Sequence, residues 1–432
     1  MPWLNTAHMR VERIGAGKMT NATGILMNSV RRGMMRLIRL WPGVRQGPTP
    51  MVAPARASAI AAPQAAVRGR ILAIDALRGV AILAMSLRHM AYFLGRPLQA
   101  ETYGGQPATL LNWPHWVSGL IANITAPTFF LLVGTSLALL IAGRRRAGVS
   151  EWDITRYLLI RAGVLVLLDL TICDIAWAGF NPYTHVLLSI AIAMVILSVA
   201  RFLPVSLFAA LTLALLLTYQ ALLSQMALPL SQTENFWQAL LWSYSTKTWP
   251  AVEFSILGWF PLPAMGFILG QWMSLPALRR ARTWVAIGTA LLGIWLVLRW
   301  NGGIGDLTPY TPNQPWHFFF IMSKTPPSLT FLTFNLGLSA LTLAALFAGE
   351  TWLQHRPLKW LVTCGQASLF FFVAHIVVYG ALARLVAPLQ LPLPAIFITY
   401  TTWLGGLVVL VPIAGAYNRL RRRHPQSILR YL

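Results

Sequence analysis

The chain reads as an all-α integral membrane protein, a bundle of about ten transmembrane helices with both termini in the cytoplasm. Three observations lead there. The 432 residues are 56% hydrophobic and only 10% charged. Soluble domains carry about 25% charge, so a soluble enzyme of this size is excluded. From Ile71 onward the chain is a succession of apolar runs, and about 20 helical residues suffice to cross a bilayer. Several runs hold no charge at all: Trp116–Gly143, Phe202–Thr233, Phe254–Leu278, Thr325–Gly349 and Leu385–Asn418. Finally, the basic residues sort to one side of the spans.

Ten spans are expected, near 72–94, 117–143, 157–177, 184–200, 203–225, 254–274, 283–299, 327–348, 360–383 and 393–416. Their periods are those of buried helices, without the two-residue alternation of a barrel. With the N-terminus inside, the cytoplasmic segments hold eleven basic residues before Ile71, then Arg144–Arg146, Arg156, Arg201, Arg279, Arg280, Arg282, Arg356, Lys359 and five after Asn418. The opposite face holds Arg96, Lys247, Arg299, Lys324 and Arg384. That asymmetry satisfies the positive-inside rule and requires an even number of crossings.

Residues 1–70 form a separate basic segment, Ala- and Pro-rich over Val52–Ala66, which reads as an unstructured cytoplasmic tail. Within it Met27–Trp41 has the spacing of a basic amphipathic helix. Residues 71–432 form the membrane domain. The net charge of +23 reads as basic flanks of a membrane protein rather than a nucleic-acid surface. Cys173 and Cys364 both fall in apolar runs and can build neither a disulfide framework nor a cysteine metal site. No P-loop, dinucleotide-binding glycine pattern, HExxH or GxSxG motif is present, which speaks against nucleotide-driven transport.

The first span is unusually polar, with Asp75, Arg78, Arg88 and His89. A mid-membrane charge costs about 2.5–3.5 kcal/mol. Arg78 and His89 are eleven residues apart, about 20° from three full turns, so one helix face presents both, roughly 16 Å apart. Asp75 can pair with Arg78 at spacing three. Arg88 points about 100° from His89 and reads as a side chain reaching the interface. Asp169 and Asp174 in the third span serve equally as counter-ions or as partners of a base. His375 lies in a Phe-rich run, and a lone histidine there is more often a packed core residue. On the non-cytoplasmic side His115, His317 and Lys324 are flanked by Trp113, Trp116 and Trp316, either an interfacial belt or the rim of a sugar-binding mouth.

Several motifs in order carry a resemblance. Ala73–Leu83 with the helix closing on His89 resembles the opening span of membrane acyltransferases. The nearest likeness is to the bacterial branch of the heparan-alpha-glucosaminide N-acetyltransferase catalytic-domain family, the DUF1624 proteins. Thr125–Ser136 resembles that family's second span and Leu167–Thr171 its third, with Asp169 where a Glu is usual. Lys324–Leu329 is similar to its KYPPSL signature, Gly365–His375 to its ninth span, and Arg421–Leu432 to its basic tail.

The resemblance implies acyl transfer from a cytoplasmic acyl-coenzyme A, acetyl-coenzyme A above all, to an extracytoplasmic sugar or glycan. It implies a bacterial cytoplasmic membrane as the location. The superfamily's Arg-x10-His arrangement is met by Arg78 and His89. The glucosaminide enzyme instead uses a histidine just upstream of a Trp, so His115, directly before Trp116, stands as a second candidate base. In such a mechanism His89 or His115 removes the acceptor's proton, and Asp169 or Asp174 orients the imidazole. Arg78, Asp75, Arg144 and Arg145 would hold the cofactor. Trp113, Trp116, Lys324, Asp174 and His375 would line the acceptor site. No metal is called for. Partners are the lipid bilayer and the acceptor, with a homodimer admissible and no nucleic acid. The alternative is a proton-coupled secondary transporter relaying protons through Asp75, Asp169, Asp174 and His89, discriminated by independence from acyl-coenzyme A.

Overall fold

Described here by a computed structural model are residues 71–103, 112–178, 182–230 and 233–431; the tail expected over 1–70 lies outside them. Helix α1 (Leu72–Phe93) leads to strand β1 (Glu101–Tyr103). Helices α2 (Trp113–Ala122) and α3 (Thr125–Arg146) follow, split by Asn123 and Ile124. Helix α4 (Glu151–Leu168) passes through a π-helical turn, Asp169–Cys173, into α5 (Asp174–Ala178). Strand β2 (Tyr183–Thr184) precedes α6 (Val186–Ala200) and α7 (Val205–Leu230). Then come α8 (Phe236–Trp242), β3 (Ala251–Val252), α9 (Ile256–Trp259), α10 (Pro261–Trp272) and α11 (Ala281–Asn301). The chain closes with β4 (Met322–Thr325), α12 (Leu329–Ala348), α13 (Arg356–Gln366), α14 (Ser368–Val386) and α15 (Ala395–Arg423).

Helix occupies much of each expected span among the described residues, and six helices there, α2 and α3 counted together, are long and apolar enough to cross a membrane. Helix α1 is as long as these but carries Asp75, Arg78 and Arg88. Two expected spans are broken: the second at Asn123–Ile124, and the ninth at Ala367, between α13 and α14. Polar caps mark several starts. Ser150 accepts from the Asp153 N–H and Ser328 from the Phe331 N–H, both at 3.1 Å, satisfying donors that a helix leaves open at its first turn.

The strands depart from the all-α expectation. β1 pairs in parallel with β4, Glu101 opposite Met322 and Tyr103 opposite Thr325. β2 pairs in parallel with β3. These short ladders tie together loops far apart in sequence at the end of the bundle where α1 finishes, hereafter the strand end. The segment leading into β4 is organised by the buried Arg299, which pairs with Asp306 at 2.7 Å and donates to the carbonyls of Phe318, Phe319 and Ile321 at 2.7, 2.7 and 2.8 Å. The opposite end, where α1 starts and α3 and α15 finish, carries Arg144–Arg146 and Arg421–Arg423 and is called the arginine end.

Helix α1 packs against α13 backbone to backbone. A Cβ on Gly79 would overlap the Leu361 carbonyl oxygen, and one on Gly365 the Asp75 carbonyl oxygen; small residues allow this approach between membrane helices. Gly365→Ala should therefore destabilise the fold by about 1–3 kcal/mol through overpacking. Gly380→Ala on α14, where a Cβ meets nothing within 4 Å, should leave stability unchanged or slightly raised. Thermal unfolding of the two variants in detergent makes the comparison.

Candidate active site

Helix α1 presents its ionisable groups to three different sets of partners. Near the arginine end Arg78 donates to Asp75 at 2.9 Å, to Ser136 Oγ on α3 at 2.5 Å and to the Gly365 carbonyl at 3.3 Å. The other Asp75 oxygen accepts from Gln366 at 3.2 Å. The glycine contact just described is what brings the Gly365 carbonyl within reach of the guanidinium.

Three turns along, His89 meets a second histidine. Its Nδ1 lies 2.7 Å from Nε2 of His375 on α14, and the rings stack at 4.9 Å between centroids. His375 Nδ1 lies 3.0 Å from the Phe371 carbonyl oxygen. A carbonyl can only accept, so this nitrogen carries the hydrogen. For two neutral rings the rest follows: His375 Nε2 is bare and accepts from His89 Nδ1–H, leaving the lone pair of His89 on Nε2. The tautomers are assigned from these partners. Trp177 on α5 stands edge-on to His89 at 4.6 Å and stacks on Tyr92 at 4.2 Å, giving this imidazole an aromatic wall.

Arg88 turns the other way, and its partners correct the interfacial reading. It donates to Asn123 Oδ1 at 2.9 Å and to Tyr103 Oη at 3.1 Å, and it pairs with the buried Glu101. Tyr103 in turn donates to Glu101 at 3.0 Å and accepts from Lys324 Nζ at 2.8 Å. Lys324 faces Glu253 at 3.6 Å, and Tyr183 donates to Glu253 at 3.1 Å. Two cations, two carboxylates and two phenols thus form one chain of contacts at the strand end, assembled by the β1–β4 ladder. Burial and the nearby Arg88 guanidinium push the Lys324 ammonium down to about 7, against a pull upward from Glu253.

Among the residues expected from sequence, the structure brings His89 and His375 together, and Lys324 into the Arg88 network. Asp169 stands elsewhere: its carboxylate accepts from the His185 N–H at 3.0 Å, at the start of α6, where it complements the helix dipole. Asp174 accepts from the Tyr183 backbone. The position beside His89 Nδ1 that either aspartate was expected to fill is held by His375. His115 is buried and contacts Asn112 Oδ1 at 2.7 Å. Trp113 stacks on Trp316 at 5.5 Å and stands edge-on to Trp116 and His317, an aromatic cluster of its own. At the arginine end Arg145 pairs with Glu151 at 2.6 Å, and Arg144 lies over the Tyr157 ring. Among the described residues no group of three His, Cys, Asp or Glu is placed to hold a metal.

Sequence reasoning missed Glu101, Tyr103, Tyr183 and Glu253. The available signal was acid content: the chain has only 11 Asp and Glu, and Glu101 and Glu253 are among those that sit between apolar runs.

In comparison with known families, the model of the Acyltransferase domain family matches residues 71–417. A comparison with curated proteins finds no match. The matched stretch begins at the first residue before α1 and runs into α15, taking in His89, His375, Lys324 and their partners. The chain therefore belongs to the acyltransferase domain family, as a membrane acyltransferase whose helices are long and apolar enough to span a bilayer.

Proposed function

We propose that the protein transfers an acyl group, acetyl in the simplest case, from cytoplasmic acyl-coenzyme A to a sugar or glycan hydroxyl or amine on the other side of a bacterial cytoplasmic membrane. The observation carrying this reading is the His89–His375 pair, set on α1 between a cationic end and a polar, tyrosine-lined end. The reading takes the ten helical runs as ten crossings with both termini inside, which places the arginine end in the cytoplasm. The motif likeness to the glucosaminide branch supports a sugar acceptor, and the family match favours transfer over transport.

In this mechanism the donor's thioester arm runs outward along the face of α1 from Arg78 towards His89. The acceptor approaches from the strand end. His89 Nε2 takes the acceptor's proton while its oxygen or nitrogen attacks the thioester carbonyl. The carbon–sulfur bond then breaks, and the imidazolium returns its proton to the departing thiolate. His375 holds His89 in the tautomer with Nε2 bare, the office a carboxylate performs in hydrolytic triads.

Purified protein incubated with radiolabelled acetyl-coenzyme A and amino sugars or glycans should transfer label. His89→Ala should lose about 10²–10⁴-fold of the rate. His375→Ala should lower kcat about tenfold with KM for the coenzyme unchanged. No transfer by the wild type, or full activity of His89→Ala, overturns the proposal.

Lys324 adds a pH dependence. Its ammonium is charged below about pH 7 and neutral above, so its hold on Tyr103 and Glu253 weakens as pH rises. The rate should fall through that region. In Lys324→Arg, whose guanidinium stays charged, the alkaline limb should disappear, as a pH profile of kcat/KM would show.

A further inference from the structure

Trp177 is the hub of an aromatic cluster beside His89. Tyr92 lies one turn of α1 beyond His89, on the strand-end side, so the two side chains leave neighbouring parts of one helix face. Both meet the same indole. Trp177 stands edge-on to His89 at 4.6 Å and stacks flat on Tyr92, with 4.2 Å between centroids and 3° between planes. Phe93 and His185 also meet the indole edgewise, at 5.3 and 5.5 Å. His185 in turn lies against Tyr183 at 4.5 Å, the tyrosine that donates to Glu253. The Tyr92–Trp177 stack thus borders His89 directly and reaches the polar network of the strand end through His185 and Tyr183.

Trp177 covers one face of Tyr92, yet Tyr92 is 38% exposed, so the opposite face and the ring edge are what it leaves open. Of the five rings His89, Tyr92, Phe93, Trp177 and His185, only Tyr92 is exposed. An aromatic that merely filled space beside His89 would be covered on both faces. One open face, backed by an indole that three further rings hold in place, with hydroxyl and carboxylate groups nearby, has the make-up of a carbohydrate site. A pyranose presents an apolar C–H face to an aromatic ring and hydroxyls around its rim to polar partners. A tyrosine of an interfacial belt needs only the lipid boundary, whereas Tyr92 shares its indole with His89.

We infer that the open face of Tyr92, backed by Trp177, stacks on a pyranose ring of the acceptor and sets the hydroxyl or amine to be acylated beside His89. The inference rests on the acyl-transfer reading above and narrows its acceptor to a cyclic sugar. Tyr92 is a binding residue in this arrangement and exchanges no proton with the acceptor.

Transfer of label from acetyl-coenzyme A to glucosamine and to glucose by the purified full chain gives separate KM values for acceptor and coenzyme. Tyr92→Ala and Tyr92→Leu should raise KM for the acceptor about three- to tenfold, with KM for the coenzyme unchanged. Tyr92→Phe, which keeps the ring, should stay within about twofold of wild type. Tyr92→Leu keeps bulk against Trp177, and thermal unfolding checks that each variant is folded. If Tyr92→Ala leaves KM for the acceptor unchanged, if Tyr92→Phe raises it as much, or if KM for the coenzyme rises alongside, the inference is overturned while acyl transfer stands. A rise in Trp316→Ala with Tyr92→Ala silent puts the stacking on the Trp113–Trp316 cluster and overturns it too. If wild type labels ethanolamine but neither sugar, the cyclic acceptor is overturned and acyl transfer stands. If wild type labels no acceptor, the acyl-transfer reading falls and takes the inference with it.

Discussion

A charged or strongly polar side chain on a helix surrounded by hydrocarbon must find a partner, at a cost of about 2.5–3.5 kcal/mol if it does not. Helix α1 carries Asp75, Arg78, Arg88 and His89, and the partners they require dictate its neighbours. Arg78 takes Ser136 from α3 and a carbonyl from α13; Arg88 takes Asn123 and Glu101; His89 takes His375 from α14. The break at Ala367 between α13 and α14 lies between two of these contacts. Gly365 on one side reaches Arg78, and His375 on the other reaches His89. Along α13 the contacts run backwards, Leu361 on Gly79 and Gly365 on Asp75, so α13 opposes α1 near its start. Helix α14 then reaches His89, and together the two serve both ends of the polar face of α1.

The histidine pair suits such surroundings. A carboxylate at the position of His375 would orient His89 equally well but would bring a net charge into an apolar interior. A neutral imidazole, fixed by the Phe371 carbonyl, supplies the same directional acceptor without it. Asp169 and Asp174, the carboxylates available in sequence, are spent on backbone N–H groups around the β2–α6 junction, where they hold the strand end together.

Much of the helical layout was readable from apolar run lengths, and the shared face of Arg78 and His89 from a spacing of eleven. Local periodicity determines both. What joins distant segments was not readable. His375 lies 286 positions from His89, and a lone histidine in a Phe-rich run gives no hint of its partner. Arg88 was read as interfacial because its counter-ion, Glu101, arrives on a strand whose pairing to β4 leaves no mark in hydrophobic pattern. The breaks at Asn123 and Ala367 were hidden for a related reason: the apolar runs continue across them.

The account stands on the direction of the hydrogen bond between His89 and His375. Nitrogen-15 spectroscopy of the full chain with labelled histidine, assigned through His89→Gln and His375→Gln, reads the protonation of each ring nitrogen. The account predicts hydrogen on Nδ1 of both rings and a bare Nε2 on His89. A signal showing hydrogen on His89 Nε2, with Nδ1 bare, would contradict it, because His89 would then have no lone pair to offer an acceptor.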